Sequence, residues 1–324
     1  MTVPVFYCID EAYAPFTIIS AKSMILNSTS DLDIYIIADD LEPETAGHFI
    51  DLKKINPKIN VNINIQSLER SFDMIPESYI TETNWHTFSI YFRLFLHAMF
   101  PDIDKAIYID ADTVVDGDIS ELYHIDLQGN YLGGVIEPVM EAVQAFKDYT
   151  EQAIGIRTDE YINSGMLLMD FRKLREINFD KVCLDLITKY GFETIAPDQD
   201  YINTVLYGKI LYLDPKWNAI SDAAYADIKD PKIIHYRLFS KPWRTKGVIF
   251  EKYFWKYAKG TPFYSALRRI NTDTYLQMTY AKKDEDMLNK MVKRAYETIN
   301  SEKPRFSDKK DEIRISSQVL ESIL

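Results

Sequence analysis

Asp110 and Asp112 stand one residue apart at the end of an apolar run, in "KAIYIDADTVV". Carboxylates so close repel one another unless something positive lies between them. A divalent cation is one answer, because hard oxygen ligands suit Mg2+ and Mn2+. Phosphoryl transfer, with the first aspartate as nucleophile, is a second, and a solvated turn at a strand end is a third. Other groups with chemical capacity lie further along. His235 ends the apolar run "KIIHY" and could be either a packed core imidazole or a metal ligand. Lys241 follows in "SKPW". Arg93 sits inside the apolar stretch "SIYFRLFLHAMF", where a buried charge must be paired. Asp198 and Gln199 follow Pro197 at a helix start, a position that favours an acid for its own sake.

The elements that must position these groups alternate. "VPVFYCI", "IYIIA", "NVNINIQ" and "KAIYI" read as strands, by continuous apolar runs or by period-two alternation. "APFTIISAKSMILNS", "EPETAGHFIDLKKI" and "FSIYFRLFLHAMF" read as helices, the last closed by Pro101. This order predicts an α/β fold with a mostly parallel sheet flanked by helices, Rossmann-like, which binds ligands beyond the C-terminal ends of its strands. Asp10 and Asp110 would both lie on that edge. Beyond residue 130, "YLGGVIEP" and "YINSGMLLMDF" read as buried strands, and "INFDKVCLDLITKYG" and "PDQDYINTVLYGK" as helices. No Gly-, Pro- or Ser-rich linker and no fixed repeat interrupts the chain. The expected organisation is one domain over 1–250 and a helical C-terminal appendage over 251–324.

Charge and composition narrow the partners. The net charge is −12, with 19 Lys and Arg against 38 Asp and Glu in residues 1–240, and 18 against 11 in residues 241–324. So acidic a body argues against nucleic acid. Two cysteines, Cys8 and Cys183, make neither a disulfide framework nor a zinc cage. The N-terminal residues lack a signal-peptide pattern, and no apolar run approaches the ~20 residues that span a bilayer. The expectation is a cytoplasmic protein.

The aspartate pair fits a haloacid-dehalogenase-like phosphatase by its short pattern alone. That class places the motif near the N-terminus, whereas here three strands precede it. The rest of the chain instead resembles glycosyltransferase family 8, the retaining galactosyl- and glucosyltransferases that include lipopolysaccharide transferases and glycogenin. "FYCIDEAYAP", "YFRLFL", "YIDADTVV", "YINSGMLLMD", "PDQDYIN" and "HYRLFSKPW" match its motifs in order, from Val3 to about Trp243. The resemblance implies a GT-A fold, a UDP-sugar donor carrying glucose or galactose, and a divalent metal, Mn2+ with Mg2+ as the alternative. It implies that Asp110, Asp112 and His235 hold the metal. Cys8 (through backbone), Asp10, Tyr13, Asp112 and Lys241 would bind the nucleotide. Arg93, Asp110, Asn163, Ser164, Gly165, Asp198 and Gln199 would bind the sugar. Gln199, Asp198 and Glu137 would serve catalysis, Gln199 beside the anomeric carbon and Glu137 near the acceptor.

An amide is a poor nucleophile, so the family's Gln position points to front-face substitution with retention rather than double displacement. Two departures stand out. The loop "HYRLFSKPW" lacks the glycine common after the His and carries the bulkier Arg237, Leu238 and Phe239, and Glu11 and Ala12 stand where some relatives have Asp-Asn. The acceptor would be a glycan or a lipid-linked glycan. Residues 251–270, basic and aromatic, suit an anionic membrane surface at the inner face of the plasma membrane, or pack Tyr253, Phe254, Trp255 and Tyr257 onto the core. An oligomer contact through the tail is a further expectation. The competing functions are the phosphatase and a non-catalytic sugar-nucleotide-binding protein.

Overall fold

The structure is a computed structural model that describes residues 1–38, 41–67 and 88–321. Ten strands run in chain order: β1 Thr2–Ile9, β2 Asp31–Ala38, β3 Val61–Ser67, β4 Lys105–Ile109, β5 Thr113–Val115, β6 Leu132–Ile136, β7 Ile162–Asp170, β8 Ile210–Tyr212, β9 Ala219–Ile220 and β10 Ile233–His235. The longer helices are α1 Ala14–Asn27, α2 Pro43–Asp51, α3 Phe179–Tyr190, α4 Pro197–Val205, α5 Glu251–Ala258, α6 Tyr264–Thr272, α7 Thr274–Ile299 and α8 Phe306–Glu321. The main sheet is mixed and mostly parallel with flanking helices, as the alternation predicts. The chain divides into two compact units, each drawn from three segments. The first holds 1–66, 109–125 and 214–289; the second holds 67–108, 126–213 and 290–324.

In the first unit β3, β2 and β1 lie in that order, with β1 parallel to β2. A small second sheet sets β10 between β5, antiparallel, and β9, parallel. Helix α1 fixes β5 by its side chains. Ser23 Oγ accepts from Val115 N at 2.8 Å, and Asn27 Nδ2 donates to Val115 O at 3.0 Å. Edge strands left with unmet backbone groups are a liability, and these two bonds meet them. One apolar cluster joins Ile19, Val114, Ile234 and Tyr236 to Trp243, Phe254, Trp255 and Tyr257. The aromatic residues of 251–270 thus pack inward. The segment is two helices rather than one, broken at Gly260, which takes φ +80°, and Pro262.

In the second unit β4, β7, β6 and β8 lie in that order. β6 runs antiparallel to β7 and parallel to β8, with a bulge between Gly133 and Val135. The strands pack closely there. A Cβ on Gly134 would come within 2.5 Å of the Ile162 side chain. The stretch 88–100 is not the continuous helix its apolar character predicts. It is a 3-10 segment, Phe88–Leu94, and a short α-turn, Leu96–Met99. Phe95 at φ −113° separates them. Tyr91, Phe92 and Phe95 are poor helix formers, and burial of their rings overrides the period.

Helix α8 belongs to the second unit. Phe306, 1% exposed, stacks on Phe192 at 4.0 Å and meets the edge of Tyr201 in α4 at 5.1 Å. Glu312 takes Lys189 and the Tyr190 hydroxyl. Phe306→Ala should therefore destabilise the protein by about 3–5 kcal/mol, the usual cost of removing a buried ring. Chemical denaturation checks this, and a loss under about 1 kcal/mol would show that α8 is not docked as described.

Candidate functional site

In the first unit the chain leaves β4 at Asp110 and enters β5 at Thr113. Thr113 Oγ1 bonds Asp110 O at 2.9 Å and Ser20 Oγ at 2.8 Å, and Ser20 bonds the Tyr7 hydroxyl at 3.0 Å. This buried hydroxyl chain fixes the turn that holds the two aspartates. The pairing of β5 with β10 sets His235 opposite Thr113, and Tyr236 N donates to Asp112 O at 2.9 Å. His235 Nε2 then lies 3.2 Å from Asp112 Oδ1 and 3.7 Å from Asp110 Oδ2. Its Nδ1 is 3.1 Å from Asn218 Oδ1, which can only accept. With Nδ1 donating to Asn218, Nε2 faces the carboxylates: protonated, it donates to Asp112, and deprotonated, it offers its lone pair to a metal ion. One ligand atom from each of Asp110, Asp112 and His235 lies within 4.8 Å of the others. Two oxygens and one nitrogen so grouped fit a first-row divalent ion with room for further oxygen ligands.

Lys241, 4% exposed, places Nζ on Asp112 Oδ2. Burial raises the Asp112 carboxyl, but the charges of Lys241 and His235 and their hydrogen bonds together hold it well below the usual carboxylate range. Trp243 stacks on Phe16 at 4.0 Å, and Lys241 Nζ lies 5.5 Å from the Trp243 ring. Tyr13, 37% exposed, sits edge-on to Phe16 at 5.9 Å. Its hydroxyl is pushed up to about 12 by burial and then by Asp112, Asp10 and Asp110, with Arg244 opposing. Asp10 Oδ1 caps the turn by accepting from Tyr13 N at 3.0 Å. Cys8 is half-buried on β1. Glu11, one of the departures, accepts from Glu42 N at 3.1 Å and Thr45 Oγ1 at 2.6 Å, at the start of α2. In the other departure, Leu238 takes φ +47° and Arg237 Nη2 lies 3.6 Å from Asp222 Oδ2.

The second unit gathers the other predicted residues into one buried network. Arg93 Nε lies 3.1 Å from Asp198 Oδ2, and its Nη1 donates to Ser164 O at 2.8 Å and Ser164 Oγ at 3.1 Å. The guanidinium lies 4.4 Å from the Tyr108 ring. Ser164 Oγ donates to Asp198 Oδ2 at 2.8 Å, and Ser164 N to Gln199 Oε1 at 3.0 Å. Asn163 Nδ2 donates to Glu137 Oε2 at 2.7 Å and reaches Gln199 Oε1 at 3.3 Å. Gly165 N donates to Asn163 Oδ1 at 2.9 Å. Opposite Val135 and Ile136, β7 presents Asn163 and Ile162, which explains why Glu137 and Asn163 meet.

Beneath the start of α4, Asp200 is fully buried. It accepts from the hydroxyls of Tyr149 at 2.7 Å and Tyr161 at 2.5 Å, and from Ala196 N at 3.2 Å. Sequence reasoning gave Asp200, Asn218, Tyr149 and Tyr161 no part in a site. No short spacing marks them, because their partners come from distant segments.

Residues 4–247 match the sequence pattern of Glycosyl transferase family 8. The chain belongs to this family. The lipopolysaccharide 1,2-glucosyltransferase of Escherichia coli K12 is 28% identical over 272 residues, which is 78% of this chain and 76% of that protein. The lipopolysaccharide 1,3-galactosyltransferase of Salmonella typhimurium is 26% identical over 216 residues, 62% of each. The galactosyltransferase LgtC, solved with donor and acceptor sugar analogs, superposes with TM-score 0.64 at 22% identity over 81% of this chain and 96% of that one. The bifunctional glycosyltransferase WbbM superposes with TM-score 0.67 at 22% identity, over 84% of this chain and 52% of that one. The structural likeness establishes the GT-A fold, and family membership makes the chain a glycosyltransferase. The haloacid-dehalogenase-like alternative is thereby set aside, because the short D-x-D pattern is shared while the ordered motifs around it are not.

Asp200 gives the family 8 network a test of its own. Burial pushes its carboxyl up to about 7, against the hydrogen bonds of Tyr161, Tyr149 and Ala196, with Asp198 adding to the rise. The folded state therefore keeps a proton that the unfolded chain releases near 3.8. The contribution of Asp200 to stability should fall as pH rises from about 4 to about 7, by on the order of a few kcal/mol. Asp200→Asn should lack this fall. Urea denaturation of both proteins across that range checks it, and parallel curves would contradict it.

Proposed function

We propose that the chain is a retaining hexosyltransferase that moves glucose or galactose from a UDP-sugar to a glycan or lipid-linked acceptor, with Mn2+ or Mg2+ bound. One observation supports the reading above others: Asp110, Asp112 and His235 converge, with Lys241 on Asp112, in a family 8 chain. In this reading residues 1–250 supply the transferase and 251–324 a helical region. Asp110, Asp112 and His235 hold the ion, which would neutralise charge building on the diphosphate leaving group. Lys241 adds a point charge there. Tyr13 stacks on uracil, with Asp10 and the backbone near Cys8 beside it. Arg93, Asn163, Ser164, Gly165 and Asp198 orient the sugar hydroxyls.

Double displacement needs a carboxylate nucleophile close to the anomeric carbon. Asp198 is held by Arg93 and Ser164, and Glu137 by Asn163 and Val139 N. Gln199 offers only an amide. The amide at the family's Gln position, where double displacement would use a carboxylate, favours front-face substitution. The acceptor oxygen bonds the anomeric carbon as the sugar–phosphate bond breaks, and a phosphate oxygen takes the acceptor proton. Glu137 orients the acceptor hydroxyl. A peripheral contact with the cytoplasmic membrane face would use exposed Lys252, Lys256 and Lys259 rather than the buried aromatics beside them.

Hydrolysis of UDP-glucose and UDP-galactose tests the reading. Turnover should require Mn2+ or Mg2+, release the α-anomer first by NMR, and fall at least about 100-fold in Asp110→Ala. Wild-type turnover in that variant would remove the metal assignment. UDP binding with no turnover on any nucleotide sugar would favour a binding protein.

A further inference from the structure

The helix α7 lies beyond the family match, and nothing above gives it a role. Its residue Tyr280 lies under a cation of the first unit, with the Arg244 guanidinium 4.9 Å from the ring centre. Arg244 leaves the same turn as Lys241, since Arg244 N donates to Lys241 O at 2.9 Å. Lys241 in turn touches Asp112. The two cations share one group, Asp284. Both pull against the burial that raises Asp284, one turn after Tyr280 on α7, and Arg244 also opposes the rise at Tyr13. Among the described residues no carboxylate lies within ion-pair distance of Arg244. Its charge is seated on an aromatic face, which leaves the planar fork of donors for another anion.

Charge balance says which anion. Asp110 and Asp112 together offset a divalent ion. Lys241 then supplies one positive charge against the two negative ones of a nucleotide sugar's diphosphate, and the nearby Asp284 carboxyl adds to the demand for a cation. We infer that Arg244, seated on Tyr280 of α7, is the second cation for the donor's diphosphate, so that the helix after the family match completes the donor site. A guanidinium suits this place because it can grip two phosphate oxygens at once. Tyr280 is a positioning residue, acting only through Arg244. The inference rests on the nucleotide-sugar reading proposed above.

Titration calorimetry on the full chain, with UDP and with UMP, each in Mn2+, tests it. Arg244→Gln should weaken UDP about tenfold and UMP less than about threefold, because the charge-assisted bonds lost are those to the outer phosphate. Tyr280→Leu should weaken UDP roughly threefold, and Tyr280→Phe should restore it, since either ring holds the cation. The double variant Arg244→Gln/Tyr280→Leu should bind no worse than Arg244→Gln alone. Arg244→Gln binding UDP within about twofold of the unaltered protein, or losing UDP and UMP equally, would overturn the inference. The Asp110→Ala variant separates the two levels. If it loses Mn2+-dependent UDP binding while Arg244→Gln does not, only the role of Arg244 fails; if it binds UDP normally, the donor-site reading fails and this role with it.

Discussion

The repulsion between the Asp110 and Asp112 carboxylates is the constraint around which the first unit is arranged. Chain segments more than a hundred residues later come back to meet it. β10 pairs with β5 and delivers His235, and the turn after it delivers Lys241. That pairing needs β5 to be held on its other side, which Ser23 and Asn27 of α1 do. The same apolar cluster backs α1, β5, β10 and α5, so burial of Phe254, Trp255 and Tyr257 stabilises the geometry of the acidic pair. Lys241 and His235 reduce the repulsion, and a divalent ion would remove more of it.

The second unit has a different economy. Its polar groups are deeply buried, yet each contact among Arg93, Asn163, Ser164, Asp198, Gln199 and Glu137 supplies a donor to an acceptor. A buried network of this kind is stable only when nearly every member is matched. Matched groups hold still, and groups that hold still stabilise developing charge without reorganising first.

Much of this was legible before any coordinates. Strands with continuous apolar runs, such as β4 and β7, announce themselves by composition, and the polar residues at their ends then fall on a binding edge. Six ordered motifs carry most of the residues of both groups, while Glu137 lies outside them. What stayed hidden was long-range. Asn218 has no local signature, and its role exists only because β9 lies beside β10. The Tyr149 and Tyr161 hydroxyls meet on Asp200 from segments that spacing does not relate. The aromatics after residue 250 were compatible with membrane or core, because amphipathic helices bury an apolar face in either. The stretch 88–100 misled through its period, since tertiary packing of its rings outweighs helical propensity.

The most direct examination is crystallographic. A crystal soaked in manganese chloride and UDP, measured at the manganese absorption edge, should show one anomalous peak roughly 2.0–2.6 Å from oxygens of Asp110 and Asp112 and from His235 Nε2. Density for UDP with no anomalous peak at these three side chains, or a peak held by other residues, would contradict the view that a bound dication reconciles the two acids.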